Sequence, residues 1–240
     1  MLKQSNNDVL RGVFDIAVLI VVAHPDDEVL GAGGMIFRLA KTQPVYTCIL
    51  CGEAGARSGR PDPKRFNKNI MDCNAALGVS EVFLGGFPNI RMNTVAHLEL
   101  VQFIEQAIVK TGADRIFTHH PNDLNNDHLH TSLAAQAAAR LFQRREGIPA
   151  LKELSFMEIP SSTEWSINPT VTSFRANSYF AIGEDGLNKK IELVGSYDGI
   201  MRDYPHPRSR EYIRALATIR GAEAGIAFAE AFETVFLRKN

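Results

Sequence analysis

The chain has 240 residues, 45% hydrophobic and 22% charged, with 26 Lys plus Arg against 27 Asp plus Glu and a formal net charge of −1. That composition is ordinary for a globular protein and excludes gross disorder, collagen and membrane classes. The balanced charge offers neither a nucleic-acid footprint nor a basic block for anionic lipid, so the expected partner is a small molecule, with no nucleic acid and no stable membrane anchoring.

Apolar runs of strand length alternate with amphipathic stretches of helix length. Ile16–Ala23 is dense in Val, Ile and Leu and reads as a central strand buried on both faces. It is too short to span a bilayer, and no signal peptide is read ahead of it. Val29–Lys41 follows as a helix and Val45–Cys51 as a strand. Pro63–Leu77 reads as a helix capped by Gly78, and Val82–Leu84 as a short strand. Ala96–Thr111 is helical up to Gly112, Arg115–His119 is a fourth strand, and Leu129–Phe142 is an alanine-rich helix. Beyond it, Leu154–Ile159, Ser178–Ile182 and Ala231–Leu237 read as strands, Leu187–Arg202 and Arg208–Ile219 as helices, and Pro160–Thr172 as a polar loop. The β-α series predicts an α/β fold with a mostly parallel sheet covered by helices on both faces. No linker separates the halves, so the expectation is one domain over 1–240, with 150–240 as a C-terminal elaboration.

Three cysteines cannot build a secreted disulfide framework, so a reducing cytoplasm is expected. Cys48 and Cys51 stand three apart on a strand and should face opposite ways, which argues against a shared metal or disulfide. Gly31-Ala-Gly-Gly34 lacks the spacing of a dinucleotide fingerprint and points to close helix packing.

Ligands of parallel sheets sit beyond the carboxyl ends of the strands. Two such segments are rich in chemistry: Ala23-His-Pro-Asp-Asp-Glu28, and His119-His-Pro-Asn-Asp-Leu-Asn-Asn-Asp-His128. A helix start explains a carboxylate or two; together with His130, the two segments hold five of the seven histidines. They predict a mononuclear metal site, with His24 and Asp27 from one loop and His128 from the other. Two imidazoles and a carboxylate suit Zn²⁺ with an open coordination position, and also Fe²⁺ or another divalent metal. Asp26, beside the metal, would take the proton of a water.

His24-Pro-Asp-Asp-Glu28 and His120-Pro-Asn-Asp-Leu-Asn-Asn-Asp-His128 resemble the motifs of the PIG-L / LmbE-like family of zinc-dependent N-deacetylases. The likeness extends to Gly52-Glu53, Ala75-Ala-Leu-Gly-Val79, Phe83-Leu-Gly-Gly-Phe-Pro88, Arg220-Gly221 and Ala229-Glu-Ala-Phe232. The resemblance implies a three-layer Rossmann-like fold and hydrolysis of an N-acetyl group on an amino sugar or its conjugate. It implies zinc on His24, Asp27 and His128, the general base at Asp26, and a homo-oligomer.

The second motif departs from the family pattern where Asn125 replaces an internal histidine. Asn can donate to an oxyanion but cannot supply a proton. Asp127, which in relatives buttresses that histidine, is left without its usual partner. The proton would then travel on Asp26 itself, or come from His206 in Tyr204-Pro-His-Pro-Arg-Ser209, with Arg208 beside it for an anionic substrate and Ser209 as a helix cap. Further expected substrate contacts are Asp123, Asn89 at a position acidic in relatives, and Arg57, Arg60 and Arg65 around the Gly-rich loop after the second strand. Trp165 offers a surface for a sugar ring or a pin for its loop, and His97 and His130 read as structural. The alternatives are a hydrolase of another acyl amide, or a non-catalytic metal- or sugar-binding relative.

Overall fold

A computed structural model describes residues 17–52, 62–167 and 172–239. The elements are β1 (Val18–Val22), α1 (Asp27–Leu39), β2 (Val45–Ile49), α2 (Pro63–Leu77), β3 (Glu81–Leu84), α3 (His97–Thr111), β4 (Arg115–His119), α4 (Asn126–Ala138), β5 (Glu153–Met157), β6 (Ser178–Ala181), α5 (Gly183–Ser196), α6 (Arg210–Ala224) and β7 (Ala229–Leu237). They form one seven-stranded sheet in the order β3-β2-β1-β4-β5-β7-β6. Strands β1 to β5 are parallel, while β7 runs antiparallel to β5 and β6 antiparallel to β7.

The period-2 alternation of β1 divides the core. Val18, Ile20 and Val22 pack under α1, α2, α5 and α6, and Leu19 and Val21 pack under α3 and α4. The result is the expected three-layer α/β sandwich. Strand order reverses between β1 and β4, and a crevice opens beyond their carboxyl ends at such a switch point.

Where sequence signals are local, the boundaries agree. Helix α2 spans Pro63–Leu77, with Gly78 left-handed at its end, and Ser209 caps α6 by accepting from the Tyr212 amide. Other boundaries move. Helix α4 starts at Asn126, three residues before the expected Leu129, because the Asn125 side chain caps it, and it ends at Ala138 rather than Phe142. Helix α5 runs Gly183–Ser196 rather than Leu187–Arg202.

Helix α1 is broken at Ala32, whose φ of −143° and ψ of 16° interrupt the helix. The buried Glu230 carboxylate of β7 accepts from the freed Gly34 and Met35 amides at 2.9 and 2.7 Å, and Lys190 of α5 donates to it at 2.7 Å. Close packing accounts for the glycines here: a Cβ on Gly34 would meet Ile182 at 2.8 Å, and one on Gly31 would meet Ile159 at 2.7 Å.

The opposed facing of the cysteines does not hold. Strand β2 ends at Ile49, the chain turns, and Cys48 and Cys51 join the same core layer as buried side chains. Among the described residues no helix is long and apolar enough to cross a membrane. An open groove of about 570 Å³ lies between the end of α4, β5 and the exposed Val235 and Phe236 of β7.

Candidate metal centre and active site

The loop after β1 and the loop after β4 meet above adjacent strands. Asp26 caps α1 with a φ of 107°, a strained backbone for a residue with a side chain, and its carbonyl accepts the Val29 and Leu30 amides. This turn aims Asp27 inward. Asp27 Oδ2 lies 3.3 Å from His24 Nδ1 and 3.2 Å from His128 Nε2, and all three side chains are buried.

Each imidazole is held from behind by a carboxylate. His24 Nε2 lies 3.0 Å from Asp127 Oδ2, and His128 Nδ1 lies 3.0 Å from Asp123 Oδ2. Each ring therefore turns its other nitrogen toward Asp27, an arrangement that orients histidines on metals. A tetrahedral shell about 2.0–2.1 Å in radius has donor–donor edges of about 3.3–3.4 Å. The observed 3.2 and 3.3 Å separations match those edges, so the donor set fits a divalent cation.

A second trio, His119, Asp123 and His128, also brings its donor atoms close. It suits a cation less well. His119 Nε2 accepts the Ala23 amide at 2.8 Å, and Asp123 lies on the outer Nδ1 side of His128.

The electrostatics follow from burying charge beside charge. Burial disfavours the Asp27 carboxylate, but His128 and His24 outweigh it and hold the group well below the usual range. Burial lowers both His24 and His128, yet their aspartate partners raise them further, and the net shift of each is upward. His119 goes the other way: burial and the neighbouring His128 outweigh the help of Asp27 and Asp123 and push it down to about 3. Burial lifts the Glu28 carboxyl to about 7 against the hydrogen bond donated by Tyr197 at 2.6 Å.

Asp127 has a partner after all. It pairs with His24, and it also accepts the Ile90 and Met92 amides. Asp123, expected to meet substrate, is spent on protein groups: His128, the Ser162 and Thr163 hydroxyls and the Asn125 amide. Asn125 itself commits Oδ1 to the Asp127 amide at 2.9 Å. Its donor end, Nδ2, is not used by that cap.

The segment before α6 reaches the same site. Arg208 Nη1 lies 3.9 Å from Asp26 Oδ2, and its Nε donates to Ser161 at 2.6 Å. His206 Nδ1 accepts the Arg208 amide at 3.0 Å, and its ring meets Trp165 edge-on at 5.8 Å. Burial, then Arg208 and Arg202, lower its pKa.

Arg65 stands apart, in an exposed two-point pair with Asp198 at 2.9 Å. Asn89 precedes Ile90, whose amide reaches Asp127. Arg57 and Arg60 lie outside the described residues. Sequence reasoning missed the hydroxyl support of Asp123 by Ser162 and Thr163 and the backbone support of Asp127 by Ile90 and Met92. The first had a signal, a Ser-Ser-Thr run just past a strand end; the second, made by main chain, had none.

The family model described as PIG-L, GlcNAc-PI de-N-acetylase, matches residues 19–139, just over half of the chain. The probable N-acetyl-alpha-D-glucosaminyl L-malate deacetylase 2 of Bacillus cereus is 30% identical over 122 residues, 46% of this chain and 55% of that protein. The chain thus spans about half the length of that curated relative.

Among solved structures, a conserved protein from Thermus thermophilus has a TM-score of 0.74 at 22% identity, covering 93% of this chain and 96% of that one. The 4-carboxy-2-hydroxymuconate hydratase of Pseudomonas putida reaches 0.73 at 22% identity, covering 94% and 98%. The N,N'-diacetylchitobiose deacetylase of Pyrococcus horikoshii reaches 0.70 at 16% identity, covering 97% and 94%. At these identities the structures establish the fold, which carries more than one chemistry among them. By the match of the family model, the chain belongs to the PIG-L family of GlcNAc-PI de-N-acetylases.

Proposed function

We propose that this protein is a metal-dependent hydrolase that removes an N-acetyl group from an amino sugar or its conjugate. The reading rests on one observation above all: His24 Nδ1, Asp27 Oδ2 and His128 Nε2 converge at cation-shell spacing. The proposed ligands are those three, and the proposed cation is Zn²⁺, with Fe²⁺ or another divalent metal as alternatives. Bound there, the cation would lower the pKa of a water and polarise the amide carbonyl.

The chain's own groups do the rest. Asp26 takes the proton of the attacking water and passes it to the amine as the C–N bond breaks; the acetic acid so formed gives up its own proton to the freed amine, leaving acetate and an ammonium group. Asn125 Nδ2 donates toward the developing oxyanion. The neutral His206 ring accepts at Nδ1, so its proton sits on Nε2, where it donates to the departing group. Its lowered pKa favours Asp26 as the carrier of the proton. Arg208, beside Asp26, favours a substrate with a carboxylate or phosphate, and Trp165 and Asn89 border the sugar. Arg57, Arg60 and Arg65 are proposed as outer substrate contacts, and Arg65 would have to exchange its Asp198 partner to serve.

Residues 1–240 as one domain, a cytoplasmic location and self-association belong to the same proposal. The buried cysteines support the second and the apolar end of β7 the third. The test is acetate release by metal-reconstituted protein from free, phosphorylated and nucleotide-linked N-acetyl sugars, with Asp26→Asn as control. Release lost in the control supports the reading. No release from any sugar at one metal per chain would turn it toward another acyl amide, or a binding protein.

A further inference from the structure

We propose that His119 is a positioning residue that locks the two ligand-bearing loops against each other. The inference rests on the metal-site reading above and gives a task to a histidine that reading leaves unused.

His119 is the last residue of β4 and fully buried. Its Nε2 accepts the backbone amide of Ala23 at 2.8 Å, one residue before His24. Its ring lies flat on His128, with centroids 3.8 Å apart and an interplanar angle of 15°. One side chain thus touches both loops: it fixes where the main chain enters the His24–Asp27 turn, and it covers one face of His128. Asp123 holds His128 in its own plane through Nδ1, so the stack adds the restraint that an in-plane hydrogen bond cannot.

The two tasks need a flat ring and an acceptor together. Phe supplies the ring but leaves the buried Ala23 amide unpaired; Gln supplies an acceptor but no ring. Accepting at Nε2 makes the neutral ring carry its proton on Nδ1, and Nδ1 is buried with no partner among the described residues. A ring that served packing alone would do so better without that orphaned donor.

The experiment measures Zn²⁺ affinity by chelator competition on metal-stripped wild type, His119→Phe and His119→Gln, with the apo melting temperature of each. The account expects both variants to bind Zn²⁺ at least tenfold more weakly than wild type in the folded state, as supporting residues behind metal ligands do. Affinity equal to wild type in folded variants overturns the positioning role and leaves the metal site standing. Wild type that binds no Zn²⁺ overturns both.

A histidine ¹⁵N spectrum of wild type needs no variant. His119 should show Nδ1 protonated and Nε2 as an acceptor, before and after Zn²⁺, while His24 and His128 shift on binding. A His119 nitrogen that shifts as a ligand, or a proton on Nε2, would also overturn the proposal.

Discussion

Between Val18 and Ala138 the chain runs in parallel β-α units, and the loops and helix starts beyond its strands carry His24, Asp26, Asp27, Asp123, Asp127 and His128. From Glu153 to Leu237 the added strand β7 runs antiparallel, and this part of the chain mostly braces the first. Ser162 and Thr163 hold Asp123, Tyr197 holds Glu28, Glu230 and Lys190 splint the broken α1, and Arg208 leans over Asp26. The first region supplies donors for a cation and a base, and the second sets how firmly they are held and what they meet. Damage to the first should therefore strike the chemical step and the metal, and damage to the second affinity and stability.

The largest effect should come from Asp26→Asn. Loss of the base is expected to cut kcat about a hundredfold to ten-thousandfold while Zn²⁺ stoichiometry holds at one per chain, as steady-state kinetics beside metal analysis would show. A kcat loss below tenfold would remove Asp26 from the proton path.

Next come Asp127→Asn and Asp123→Asn. Each unties one imidazole and should weaken Zn²⁺ about ten- to a hundredfold in a competition titration. The pH dependence has a definite sign. His24 and His128 have raised pKa values in the metal-free protein, so a cation must displace their protons. Affinity should then rise with pH between about 6 and 8, by up to about tenfold per unit for each proton displaced. A flat profile would contradict that pairing.

Arg208→Ala should raise KM for phosphorylated or carboxylated substrates about tenfold or more and leave neutral sugars little affected. Equal effects on both would make Arg208 a brace for Ser161 alone. His206→Ala separates two roles: a proton donor would cost at least about a hundredfold in kcat, and the hydrogen-bond role proposed here about tenfold. The smallest effect on the site should come from Glu230→Gln. It leaves Lys190 buried beside a neutral amide and should cost about 3–5 kcal/mol of stability by urea unfolding, with Zn²⁺ affinity of the folded protein little changed.

Local signals made much of this legible. The apolar run of β1, the Pro63 start and Gly78 stop of α2, and the Ser209 cap of α6 each sit within a few residues of what they specify. The two His-Asp segments were legible because they stand at strand ends, where topology then brings them together. What escaped depends on distant partners. The break in α1 is stabilised by Glu230, 196 residues from Gly34. Asp127 reaches His24 across 103 residues, and Asp123 reaches Ser162 across 39. The start of α4 moved because a polar side chain, Asn125, sets it, while the apolar period begins later. The cysteine facing failed because the alternation rule ends where the strand does.

The most direct test of the central claim is anomalous diffraction at the zinc edge from crystals of the Zn²⁺-loaded protein. The account predicts one peak about 2.0–2.1 Å from His24 Nδ1, an Asp27 oxygen and His128 Nε2, with His119 outside the coordination shell. A peak held by His119, Asp123 and His128, or none between the two loops, would contradict it.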